Sequence, residues 1–129
     1  MMTREKVLDY VSDVQAKHEG IGAPIYTIMV FEKADKELIG TNGKPLGWPD
    51  TGCSADMGFY YDIDTAIRAM HENWADIHET CYNAGFILCH FQGVYEASGP
   101  YARIFFRWDN DKGGYVEAEE PDLLKHIAY

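Results

Sequence analysis

The stretch that decides the fold is ARIFFRWDNDKGGYVEAE, residues 102–119. Two runs rich in β-branched and aromatic residues, ARIFFRW and YVEAE, flank DNDKGG, a short cluster of turn-forming residues. Strands joined by so short a turn run antiparallel. Just upstream, FILCHF (residues 86–91) is almost continuously apolar, the pattern of a strand at a central position in a sheet. Three consecutive strands in the C-terminal part therefore point to an antiparallel sheet.

Moving outward, TREKVLDYVSDVQAKHEG reads as a first helix. Thr3 serves as its N-cap, Val7, Leu8, Val11 and Val14 fall at helical spacing, and Gly20 offers a stop. APIYTIMVFEK follows as a strand. Residues 33–57 are dense in Gly and Pro; Asn42-Gly43 signals a hairpin turn, and Pro45 confines the second arm to an edge. A loop of this length is a candidate wall of a site.

MGFYYDIDTAIRAMHENWADIHETCYNAG reads as a short strand feeding one long helix over 63–84, capped by Asp62 or Asp64 and ended by Gly85. Ile63, Ile67, Met70, Trp74, Ile77 and Cys81 form its apolar stripe; Glu72, Asp76 and Glu79 share the opposite, solvent-facing side. Pro121 begins a short C-terminal helix, PDLLKHIA. The order of elements predicts a single α+β domain over 1–129, an antiparallel sheet with the long helix and the N-terminal helix packed on one face.

Composition narrows the function classes. Eleven basic against 21 acidic residues give a formal charge of −10. That disfavours direct nucleic-acid binding and an anionic membrane surface, both of which need basic residues to neutralise phosphate. No apolar run approaches a bilayer span, and the start of the chain lacks the apolar core of a secretory signal. Three cysteines, Cys53, Cys81 and Cys89, are an odd number without CxxC spacing, which argues against a disulfide framework or zinc knuckle. A cytoplasmic location follows as the expectation.

No motif makes a case for catalysis. His71 and His78 are two helical turns apart and lack the HExxH spacing, so a structural or surface role is preferred over metal ligation. Cys89 and His90 adjoin on a strand and so point to opposite faces. GxSxG, Walker and GxGxxG patterns are absent from the sequence. No cofactor or metal is expected, and an enzyme acting on a nucleotide ranks behind binding functions.

What remains is recognition. Alternation in ARIFFRW puts Ile104, Phe106 and Trp108 on a core face and Arg103, Phe105 and Arg107 on the other. Arg103 and Arg107, each about 7 Å along the strand from the Phe105 ring between them, suit a phosphate-bearing ligand with a stackable base. The competing reading pairs these arginines with the next strand: matching apolar faces brings Arg107 opposite Glu117, or Arg103 opposite Glu119, as a cross-strand salt ladder.

The segment from Gly58 to Pro121 resembles a group of short bacterial and phage proteins. The shared positions are Tyr61, Ala66, Asn73, Glu79, Tyr82, Trp108, Tyr115, Glu120 and Pro121. The resemblance carries no catalytic residue with it. It implies residence on phage or mobile elements and, from that, a protein that disables a host defence component in the bacterial cytoplasm. One version sequesters a small anionic nucleotide-like signal with Arg103, Phe105, Arg107, Arg68, Tyr60 and Trp48. The other binds a host protein through Glu72, Asp76, Glu79, Asp109, Asp111, Glu117, Glu119 and Glu120, in part by imitating nucleic-acid charge. Exposed aromatic residues such as Trp48 and Tyr95 make self-association a further expectation.

Overall fold

Thr3 starts the first helix: its hydroxyl accepts from the Lys6 amide at 3.4 Å, and α1 runs from Arg4 to Lys17. Val7 and Val14 are its buried positions. The computed structural model describes residues 1–32, 54–80, 82–94 and 102–121. The Asn42-Gly43 hairpin, Trp48, Cys53, Cys81, Tyr95 and the C-terminal helix expected after Pro121 all lie outside the described residues.

Five strands follow: β1 (Ile25–Phe31), β2 (Ser54–Tyr60), β3 (Ala84–His90), β4 (Arg103–Asp109) and β5 (Gly114–Glu117). They form one antiparallel sheet in the order β2-β1-β3-β4-β5. The apolar run around FILCHF thus occupies the middle of the sheet, and six of the seven residues of β3 are buried. With helices packed on this sheet, the protein has the α+β architecture its sequence predicts.

The second helix is shorter than its periodicity predicts. Asp62 caps it, accepting from the Thr65 amide at 2.8 Å, but α2 covers only Ile63–His71. Asn73, Ala75 and Asp76 then adopt left-handed φ values of 59°, 52° and 58°, and a 3₁₀ segment continues over Trp74–Thr80. The cause lies in side-chain competition for the backbone. Asn73 tolerates φ > 0, and its Oδ1 takes the His78 amide at 2.7 Å. The His78 ring closes on the Met70 carbonyl with Nε2 at 2.7 Å. Ile77 is still fully buried, so the apolar pattern survives the break.

Gly85 ends no helix; it sits inside β3, against β1 and the Met70 side chain of α2. A Cβ there would lie 3.1 Å from Val30 Cγ1, 3.2 Å from the Met29 carbonyl oxygen and 3.2 Å from Met70 Cε.

Both faces of the sheet are buried. On the helix face Tyr26, Ile28, Val30, Ile87, Cys89, Ile104, Phe106 and Tyr115 pack with residues of α1 and α2. On the far face Phe31, Ala84, Phe86, Leu88 and Phe105 form a second cluster. The salt ladder expected from strand pairing assumed an open far face, and the observed register removes it. Arg107 stands opposite Val116, Trp108 opposite Tyr115 and Asp109 opposite Gly114.

The turn sets that register. Asp109 Oδ1 accepts from the amides of Asp111 (2.9 Å) and Lys112 (3.1 Å), and Gly113 closes the turn at φ 65°. A one-residue change of register turns every side chain over. Here it sends Tyr115 to the core, its hydroxyl donating to the Tyr82 carbonyl at 3.0 Å, and leaves Val116 and Ala118 beside Arg107 and Phe105.

Candidate functional site

The arginine–aromatic–arginine stripe of β4 exists as a geometric row, but its members have different environments. Arg103 is buried: its guanidinium carbon lies 5.1 Å over the Phe86 ring, and Nη2 meets Glu120 Oε1 at 2.6 Å. Phe105 is buried as well, edge-on to Phe86 at 5.4 Å. Arg107, by contrast, is 55% exposed. Its partner is Asp109 Oδ2 at 3.6 Å, a loose pairing. The amide of Lys112 holds the Asp109 carboxyl below its ordinary value, with the nearby Arg107 charge contributing less. The Asp109 side chain is therefore committed mainly to the turn.

Arg107 opens onto a cleft of about 300 Å³ on the far face. Asn83, Phe105 and Trp108 line it together with Ala118, Glu119 and Pro121 of the segment after β5. The chain after β5 returns along β4, as the Ala118 amide bonding to the Phe105 carbonyl at 3.0 Å shows, and this return forms the cleft's second wall. One glutamate accordingly does meet an arginine by this return of the chain, Glu120 taking Arg103; Glu119 borders the cleft but pairs with the Met1 amino group at 3.2 Å.

Arg68 and Tyr60 stand elsewhere. Arg68 lies on α2, stacks over the Trp74 ring at 5.4 Å and pairs with Glu72 at 2.9 Å. The Tyr60 ring is 6.3 Å from Trp74, and its hydroxyl donates to the Met57 carbonyl at 3.4 Å. The two residues share a neighbourhood through Trp74, which was read as a core position, and are separate from the Arg107 cleft. Trp48 lies outside the described residues.

The acidic set is dispersed in the same way. Glu72, Asp76 and Glu79 are all exposed, yet the left-handed break takes them off a common helical face. Glu72 is paired with Arg68, and Glu79 accepts from Asn73 Nδ2 at 3.3 Å. Asp111 and Glu117 are exposed at the β4–β5 end.

Groups with nucleophilic or titratable chemistry are used structurally. His78 sits between Trp108 (5.4 Å) and Tyr115 (5.8 Å), both edge-on. His71 is exposed and edge-on to Phe106 at 5.9 Å. Burial pushes the Cys89 thiol up to about 12, against which its hydrogen bond with Tyr26 acts in the other direction. His90, on the opposite face, bonds through Nε2 to Thr27 Oγ1 at 2.9 Å, and burial lowers its pKa. Among the described residues no group of three or more His, Cys, Asp or Glu side chains is placed to hold a metal ion. Nor is any described helix long and apolar enough to cross a membrane.

Comparison of the chain with protein-family models, with curated proteins and with solved structures returned no match.

Proposed function

We propose that this chain is a non-catalytic binding protein that holds a small anionic, nucleotide-like ligand in the cleft beside Arg107. One observation carries the reading: in a protein of net charge −10, a half-exposed guanidinium whose partner among the described residues is a loose one borders a space of about 300 Å³ with mixed polar and apolar walls. A guanidinium fork suits a phosphate or carboxylate, and Phe105, Ala118 and Pro121 supply apolar contact for a ring. The resemblance to phage proteins is what supports a sequestering, anti-defence role in the bacterial cytoplasm.

Thermal-shift measurements against cyclic dinucleotides and ADP-ribose-type nucleotides test this reading. Stabilisation by one of them, abolished in Arg107→Ala, is the expected result. No stabilisation by any of them overturns it. Arg103→Ala is unsuitable as a probe, because it breaks a buried ion pair and confuses loss of binding with loss of fold.

A second reading, an acidic module that docks on a basic host protein, draws support from the exposure of Asp76, Asp111 and Glu117. It predicts affinity that falls with salt and indifference to nucleotides.

A further inference from the structure

β2 contains a bulge. Thr27 stands opposite Phe59, but Met29 stands opposite Asp56, so two steps on β1 match three on β2. Gly58, at φ 91°, takes up the extra residue. Without it, strict alternation from Asp56 would turn Phe59 toward the helices; with it, Tyr60 faces the core and Phe59 and Tyr61 face outward. Phe59 is 58% exposed and Tyr61 78%, their rings edge-on at 5.7 Å. A backbone conformation that favours glycine is thus spent on presenting two aromatic rings to solvent.

The register fixes their neighbours on the far face. Ile25, also exposed, stands opposite His90, and Thr27 joins Phe59 to the His90 side through its hydrogen bond. Ala23, Ile25, His90, Phe91 and Gln92 line a recess of about 330 Å³ at this end of the sheet. Phe59, Tyr61 and Ile25 are three of the four large hydrophobic side chains left exposed among the described residues.

Charge and area together select an occupant. Among the described residues two exposed carboxylates flank the rings: Asp56 precedes the bulge on the same face, and Asp62 follows Tyr61. Such a rim repels phosphate and attracts cations. Fully buried rings contribute roughly 150–250 Å² each, so the exposed patch amounts to something on the order of 300 Å². A second copy of this chain or another folded domain needs about 800 Å² per partner, so a short segment fits the patch better.

We propose that Phe59 and Tyr61, with Ile25 at the mouth of the recess, form a docking platform for an arginine-bearing segment of a partner protein. Guanidinium groups stack on aromatic faces while the acidic rim balances their charge. None of these residues lines the Arg107 cleft, and Asp76, Asp111 and Glu117 of the second reading are not among them. The platform adds an aromatic determinant that charge attraction alone does not require.

The test is a ¹H–¹⁵N NMR titration with an amidated Arg-Gly-Arg-Gly-Arg-Gly peptide and its lysine counterpart. Shifts concentrated at residues 25–27, 59–62 and 90–92, with several-fold weaker binding of the lysine peptide, are expected. The charge-neutral double change Phe59→Ala with Tyr61→Ala should weaken binding at least tenfold. Phe59→Leu with Tyr61→Leu, which keeps apolar area but removes the π-faces, should do the same. Arg107→Ala should leave it unchanged. Equal affinity of wild type and both double variants, or shifts centred on Asp76, Glu79 and Glu117 instead, overturns the proposal.

Discussion

Arg103 and Glu120 meet at 2.6 Å on the sheet face turned away from the helices, with 9% and 18% of their side chains exposed. This contact fastens the segment after β5 back onto β4 and so forms the wall of the cleft in front of Arg107. Removing one partner leaves the other charge largely buried. Arg103→Ala and Glu120→Ala should each cost about 3 kcal/mol, and the pair Arg103→Met with Glu120→Leu should recover much of it. Urea unfolding of the three variants measures this; equal stability of the single variants and wild type would contradict the contact.

Gly85 should resist substitution. Its added Cβ would press on the Met29 carbonyl, which is backbone and cannot rotate aside, as well as on Val30 and Met70. Gly85→Ala is expected to destabilise by about 1–3 kcal/mol, the range for overpacked cores. Shortening Met70 in the same chain should restore only part of the loss in thermal unfolding.

Ala75 offers the opposite case. It is exposed, at φ 52°, a conformation that costs a non-glycine residue roughly 1–2 kcal/mol. Glycine relieves that strain at some cost in unfolded-chain entropy, so Ala75→Gly should stabilise by up to about 1 kcal/mol. Destabilisation on denaturant titration would argue for a continuous helix through this segment.

Alkaline pH should weaken the fold. Burial, the largest cause in each case, raises the Cys89 thiol from 9.0 to about 12 and the Tyr26 phenol from 10.0 to about 12. Between pH 9 and 12 the unfolded chain releases these protons while the folded one retains them, so stability is full below pH 9 and falls as pH rises. Cys89→Ala should reduce the slope of Tm against pH in that window. An unchanged slope would show that the thiol is not held protonated by the fold.

Much of the architecture was legible in the residues. Thr3 and Asp62 cap where their side chains predicted, and the apolar run through FILCHF marked the central strand. The misreadings share one origin, in interactions that periodicity does not carry. The apolar stripe Ile63–Ile77 continues across the break at Asn73, so spacing alone reads one helix; the Asn73 and Met70 bonds to His78 decide otherwise. In β5 both Tyr115 and Val116 are credible core residues, and the turn anchored by Asp109 chooses the tyrosine. The candidate site was half legible. Alternation found the row Arg103, Phe105 and Arg107, but Glu120 lies seventeen positions from Arg103 in a segment whose return path has no pattern of its own. The Phe59–Tyr61 pair escaped because the Gly58 bulge shifts the alternation in midstrand; a glycine directly before three aromatic residues was its one sequence signal.

The central strand sets a fixed length between the two ends of the far face. Ala84, at one end of β3, stands opposite Arg107, and His90, at the other, stands opposite Ile25. Six strand steps separate them, about 20 Å. At physiological salt charges are screened within about 8 Å, so an anion at one end and a guanidinium at the other would barely sense each other. With β3 as the spacer, the two proposed sites should fill additively, neither ligand altering the affinity for the other.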